Sequence, residues 1–141
     1  MIDPNLDHVG IVVPRLESAL EALSSSLGLD WLPLFEGTIS MHEPDRGSRD
    51  FFLRIGNSVQ YPRLEVIETI SDSPWALGTD AMILHHVAFY AGNLAADSTV
   101  VSGPCPIEIC GVGDDHEVPK IFTYHLQGGL RFELLERRST R

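Results

Sequence analysis

Leu-Asp-His-Val-Gly-Ile-Val-Val-Pro-Arg-Leu at residues 6–16 and Leu-His-His-Val-Ala-Phe-Tyr-Ala-Gly-Asn-Leu at residues 84–94 read as one motif used twice. His8 falls on His86, Val9 on Val87 and Leu16 on Leu94. In the first copy Val9, Ile11 and Val13 share one face of a strand, and His8, Gly10 and Val12 share the other. Pro14 then opens a stretch with Leu16, Ala19, Leu20 and Leu23 at helical spacing, and Gly28 is a natural stop for that helix. Strand-like segments follow near 31–39, 50–55 and 63–70, separated by turn residues at 43–47 and 56–57. The second copy repeats the order: a strand at 83–90, a short helix at 94–101, and strands near 106–111, 119–126 and 130–136.

The far ends of the two blocks also match. Leu-Glu-Val-Ile-Glu-Thr at 64–69 lies on Phe-Glu-Leu-Leu-Glu-Arg at 132–137, so Glu65 falls on Glu133 and Glu68 on Glu136. The chain therefore reads as two βαβββ units, an α+β fold. We expect a single domain, 1–141, made of module 1 (1–75) and module 2 (82–137).

Composition narrows the function. With 141 residues and 43% hydrophobic content the chain suits one domain with a real core. A formal net charge of −10 repels phosphate backbones and argues against nucleic acid. No apolar run is long enough to span a bilayer, so no membrane role is expected. The N-terminus lacks the features of a signal peptide, which suggests a cytoplasmic protein. Arg46, Arg49, Arg54 and Arg63 could form a local positive pocket or an ordinary solvated face. Cys105 and Cys110 are expected as reduced thiols, because five residues of strand separate them too far for a disulfide.

The chemistry sits in the matched pairs. His8 and His86 lie on strand faces opposite strongly apolar ones, which should pack on helices. Glu65 and Glu133 do the same. Two imidazoles and two carboxylates converging on the concave side of a sheet suit a divalent transition metal. A lone strand histidine is usually structural, and it is the recurrence in a repeat that favours ligation. By parity His85 falls on the helix-packing face and is not a ligand, and Glu68 and Glu136 are set aside for the same reason.

These segments, with Gly-Gly-Leu-Arg-Phe-Glu-Leu-Leu-Glu at 128–136, resemble the vicinal oxygen chelate superfamily (glyoxalase, bleomycin resistance and dioxygenase proteins). The nearest resemblance is to methylmalonyl-CoA epimerases and glyoxalase-like proteins, and it covers nearly the whole chain. It implies two βαβββ modules forming a cup-shaped mixed sheet around a metal site, with helices on the outer face, often in a homodimer. The family's ligand positions fall on His8, Glu65, His86 and Glu133. Epimerases often carry glutamine where Glu65 stands, whereas glyoxalase I has glutamate. Extradiol dioxygenases generally use a His-His-Glu triad, so a fourth carboxylate points away from them. The epimerases' catalytic glutamate, early in the strand after a Gly-containing turn, aligns with Asp50. The shorter aspartate shares its strand face with Phe52 and Arg54, and could face the cup.

The resemblance implies a metal-dependent isomerase or lyase that abstracts a proton next to a carbonyl polarised by the metal, with Glu133 and Asp50 as the proton carriers. The cofactor would be one divalent ion per site: cobalt, nickel, manganese, zinc or iron. The partner would be a small-molecule carbonyl compound, acyl-CoA esters included, although the epimerases' His-Pro-Lys segment appears here as Tyr124-His125-Leu126-Gln127. His125 is expected near the cup mouth, as a substrate contact or an exposed histidine. Unpaired sheet edges would favour a homodimer. The rival readings are an iron-dependent ring-cleaving dioxygenase and a non-catalytic binding or resistance protein. In the latter, Trp31, Phe52, Trp75 and Tyr90 would line a ligand groove, though core packing is their more ordinary role.

Overall fold

The computed structural model describes residues 1–112 and 119–137. Its elements follow the two-block order: β1 Leu6–Val13, α1 Leu16–Leu27, β2 Phe35–Glu43, β3 Gly47–Asn57 and β4 Arg63–Glu68, then β5 Ile83–Ala91, α2 Leu94–Ser102, β6 Ile107–Val112, β7 Pro119–Gln127 and β8 Leu130–Glu136. The eight strands form one mixed sheet closed in the order β1-β4-β3-β2-β6-β7-β8-β5. This is the expected α+β fold.

The internal repeat extends to register. β1 pairs with β4 in parallel, with Glu65 opposite Gly10, two residues beyond His8. β5 pairs with β8 in parallel, with Glu133 opposite Ala88, two residues beyond His86. The second strand is where the sequence misleads. It begins at Phe35, because Pro33 has no N–H for a ladder. Trp31 makes only an isolated bridge to Ser58, and its indole N–H donates to Ser24 Oγ at 2.8 Å.

Contacts divide the chain into two compact units: Asp7–Thr38 with Phe52–His86, and Met1–Leu6 with Ile39–Phe51 and Val87–Arg141. In the former, Val13, Leu16, Ala19, Leu20 and Val66 form the buried core, with Ile11, Leu23, Trp31 and Leu64 packed against it. Helix α1 ends at Gly28, whose φ of 68° is left-handed and whose N–H donates to Ser24 O at 2.9 Å. In the other unit, Ala91, Leu94 and Leu134 are packed by Ile2, Phe89 and Val101. Asn93 caps α2, its side chain accepting from Ala96 N at 2.9 Å.

His125 is not at a mouth. It is wholly buried, with Nδ1 donating to Cys105 O at 2.8 Å and Nε2 3.0 Å from Thr123 Oγ1, which in turn meets Ser98 Oγ at 2.9 Å. Burial pushes its imidazole pKa below the ordinary value, against a smaller upward pull from the bond to Cys105. The unfolded chain therefore binds a proton at His125 at higher pH than the folded chain does. Its contribution to stability is complete above about pH 6.5 and is lost as pH falls toward the lowered folded value. In denaturant unfolding from about pH 7 to about pH 5, wild type should lose up to about 1.4 kcal/mol per pH unit more than His125→Gln. Equal slopes would rule out this titration.

Candidate metal centre

Ile11, Val13, Leu64 and Val66 pack under α1, so strand alternation turns His8 and Glu65 to the other face of the β1–β4 pair. His86 joins them from β5. His8 Nε2 and His86 Nε2 are 3.0 Å apart, with the two rings edge to face. Glu65 Oε1 lies 3.7 Å from His8 Nε2 and 3.6 Å from His86 Nε2. Both imidazoles are buried and Glu65 is half-buried.

Gly10 makes this approach possible. A Cβ at position 10 would sit 2.0 Å from His86 Cε1, well inside contact distance. A glycine within a strand often marks such a close approach. Gly10→Ala must push the ring or the strand aside. It should destabilise the fold by about 1–3 kcal/mol, the usual cost of overpacking. Thermal unfolding measures that loss, and calorimetric metal titration should show weaker binding. A variant with wild-type stability would show that the ring does not lie against residue 10.

The outer nitrogens define the tautomers. His85 Nε2 is 2.8 Å from Pro74 O, and a carbonyl only accepts, so His85 carries its proton on Nε2. In a neutral ring its Nδ1 is then an acceptor, 2.9 Å from His86 Nδ1, which must be the donor. On the other side, His8 Nδ1 lies 2.9 Å from Asp7 Oδ2 and donates to it. With both rings neutral, each Nε2 is left with a lone pair directed at the other.

Glu133 is buried on β8, opposite Ala88 and Tyr124 in register. His8, Glu65 and His86 thus bring three potential metal ligands together within one unit. The donor set fits a divalent ion. Ligands about 2.1 Å from one ion lie about 3.0 Å apart at a right angle and about 3.4 Å apart at the tetrahedral angle. The observed 3.0 Å between imidazole nitrogens agrees with that range. Two lone pairs at that distance repel unless a cation, a proton or a metal ion, lies between them.

The remaining expected residues fare differently. On β3, Phe51 and Leu53 are buried and Asp50 is exposed, with Ser40 Oγ donating to Asp50 Oδ1 at 2.5 Å. Arg54, on the same alternation as Asp50, reaches Glu17 of α1, Glu36 at 3.0 Å and Glu68 at 2.8 Å. Arg54 is thus ringed by carboxylates, Arg49 is bound to Glu43 at 2.6 Å, and Arg63 lies 4.7 Å over the Tyr61 ring. Cys105 and Cys110 are free and buried, and burial raises both thiol pKa values. Trp75 is fully buried and Trp31 packs on the α1 core, so these two aromatics belong to packing.

Two supporting residues were given no part in the site by the sequence: Asp7 was not considered, and His85 was set aside. Asp7 backs His8, and His85 backs His86 while stacking on Trp75 at 6.3 Å. Their adjacency in Asp-His and His-His was the available signal. Parity, which sends neighbours to opposite faces, concealed that a neighbour's ring can still reach the outer nitrogen.

Comparison with known proteins agrees with this fold. A family model described as "Glyoxalase/Bleomycin resistance protein/Dioxygenase superfamily" matches residues 7–102. No curated protein matches. Among solved structures, a hypothetical protein from Bacillus halodurans C-125 has a TM-score of 0.67 at 20% identity, with 97% of this chain and 96% of that one covered. A Streptomyces coelicolor methylmalonyl-CoA epimerase in complex with 2-nitronate-propionyl-CoA has a TM-score of 0.65 at 18% identity, covering 95% and 97%. The methylmalonyl-CoA epimerase from Mycobacterium tuberculosis has a TM-score of 0.63 at 19% identity, covering 96% and 92%. At such identities these structures speak for the fold alone, and the family match carries membership. With both blocks folded as expected and that match covering most of the first and part of the second, the chain belongs to the glyoxalase/bleomycin resistance protein/dioxygenase superfamily.

Proposed function

We propose that this chain is a metal-dependent isomerase or lyase that moves a proton on a carbon next to a carbonyl, with His8, Glu65, His86 and Glu133 holding one divalent ion. The observation that carries the proposal is the pair of imidazole Nε2 atoms 3.0 Å apart, with the Glu65 carboxylate close to both. A bound ion would supply a Lewis acid that stabilises negative charge growing on a carbonyl oxygen.

The chain's own task is to carry the proton. Two carboxylates were expected to do so, and Glu133 has the stronger claim. It is buried and belongs to the proposed ligand group, next to where a metal-bound carbonyl would lie. Asp50 shares its side of β3 with Arg54, whose partners include α1, and its Oδ1 is held by Ser40. Asp50 is therefore the comparison residue and Glu133 the proposed base.

The substrate class is a small carbonyl compound. Acyl-CoA esters are the first to assay, since an epimerase of like fold is bound to an acyl-CoA analogue. The same proposal includes a cytoplasmic homodimer formed from single-domain chains, which sedimentation at micromolar concentration can check. The deciding experiment is metal analysis of freshly purified protein followed by deuterium exchange. Protein loaded with cobalt, nickel or manganese should exchange the α-proton of an acyl-CoA or 2-oxo compound with deuterated water. Stoichiometric metal with no exchange across a broad carbonyl panel would sink the isomerase reading, and iron-dependent oxygen uptake with catechols would replace it.

A further inference from the structure

We infer that His85 is a positioning residue: it fixes the tautomer and orientation of His86 for the metal, and is itself held by the segment after β4. This inference rests on the metal reading above and concerns residues outside the ligand set.

His85 is held on two sides. Its Nε2–H donates to Pro74 O at 2.8 Å, and its ring stacks on the fully buried Trp75 with an interplanar angle of 23°. The segment that supplies both contacts is braced internally. Thr69 Oγ1 donates to Trp75 O and accepts from Leu77 N, both at 3.0 Å. Ser73 Oγ donates to Ile70 O at 2.7 Å and accepts from Trp75 N at 3.0 Å. Thr69 N donates to Val13 O at 2.9 Å, which ties the segment to the end of β1.

A fixed carbonyl thus sets the proton on His85, and His85 sets the proton on His86. The result is a His86 Nε2 lone pair aimed at His8 Nε2, 3.0 Å away. A ligating histidine commonly donates its second N–H to such a partner, and losing that partner typically costs about 10–100-fold in metal affinity. An imidazole that itself leans on a backbone carbonyl fills that place here. His8 is backed instead by the Asp7 carboxylate.

The test has two arms. Long-range proton–nitrogen NMR of the zinc-loaded wild type should show His86 protonated on Nδ1 and His85 on Nε2. The opposite tautomer on either ring would overturn the inference without any variant. In the second arm zinc affinity is measured by chelator competition for His85→Phe, His85→Asn and His86→Ala. Phenylalanine keeps a flat ring for Trp75 but offers no acceptor, so affinity should fall about 10–100-fold. Asparagine places its Oδ1 near the lost Nδ1 and should recover most of that loss. If His85→Phe binds zinc like wild type while His86→Ala does not, the relay is wrong and the metal site stands. If His86→Ala also binds like wild type, the metal reading itself fails. Should His85→Phe not fold, the NMR arm decides.

Discussion

Replacing His86 with Ala is expected to weaken binding of a divalent ion by about 100-fold or more, because even a partner behind a ligand is worth about 10–100-fold. The ring is buried and one Nε2 is lost from a donor set whose nitrogens lie 3.0 Å apart. In the proposed set His8 Nε2, Glu65 and Glu133 remain, but three donors with a single imidazole among them hold an ion less tightly. The loss should also appear as a missing thermal shift. An ion at 100 times its Kd stabilises wild type by about 2.7 kcal/mol, and a variant that no longer binds gains nothing. Calorimetric titration and thermal unfolding with and without metal measure the two consequences separately. Full occupancy in His86→Ala would mean that the ion, if any, is held elsewhere.

Glu133→Gln should lower turnover by about 10²–10⁴, the usual contribution of a positioned acid or base. The amide keeps nearly the same shape but cannot accept the proton at neutral pH. It also removes a negative charge from the ligand group, so metal content should fall as well. Measuring rates at saturating metal separates the two effects. Asp50→Asn is the comparison. With Asp50 exposed and tied to Ser40, this variant should keep its metal and most of its activity. A large rate loss in Asp50→Asn with metal intact would move the base to Asp50. Wild-type activity in Glu133→Gln would remove Glu133 from the proton path.

Strand alternation made most of the candidate site legible. Ile11, Val13, Leu64 and Val66 are apolar because they lie under α1, and that burial places His8 and Glu65 on the other face. The repeat then assigned His86 and Glu133, and the parallel registers of β1–β4 and β5–β8 show why it could: each glutamate stands opposite the second residue after its histidine. Alternation says nothing about the reach of a neighbouring ring, which is why His85 read only as a decoy. Nor does it tell which of two polar neighbourhoods a histidine enters. His125 was placed at a mouth from its local sequence, yet Thr123, Ser98 and the Cys105 carbonyl make a buried polar nest for it. Partners so far away along the chain leave no local pattern. Asp50 was assigned through resemblance, and the arginine four residues on carries the information that bears on its face: Arg54 binds Glu17 of α1.

The two parallel pairings, β1 with β4 and β5 with β8, also have a kinetic consequence. A parallel pair cannot be closed by a tight hairpin, so the chain must first order an intervening crossover, and the entropy of closing that loop is lost before any contact offsets it. His8 and His86 are 78 residues apart in sequence, so their juxtaposition is among the least local events in this chain. Folds dominated by such separations refold in about milliseconds to seconds rather than microseconds. A divalent ion can then engage both histidines only after the slow step has passed. It should slow unfolding while leaving the refolding rate unchanged, a signature that stopped-flow mixing with and without metal would read directly.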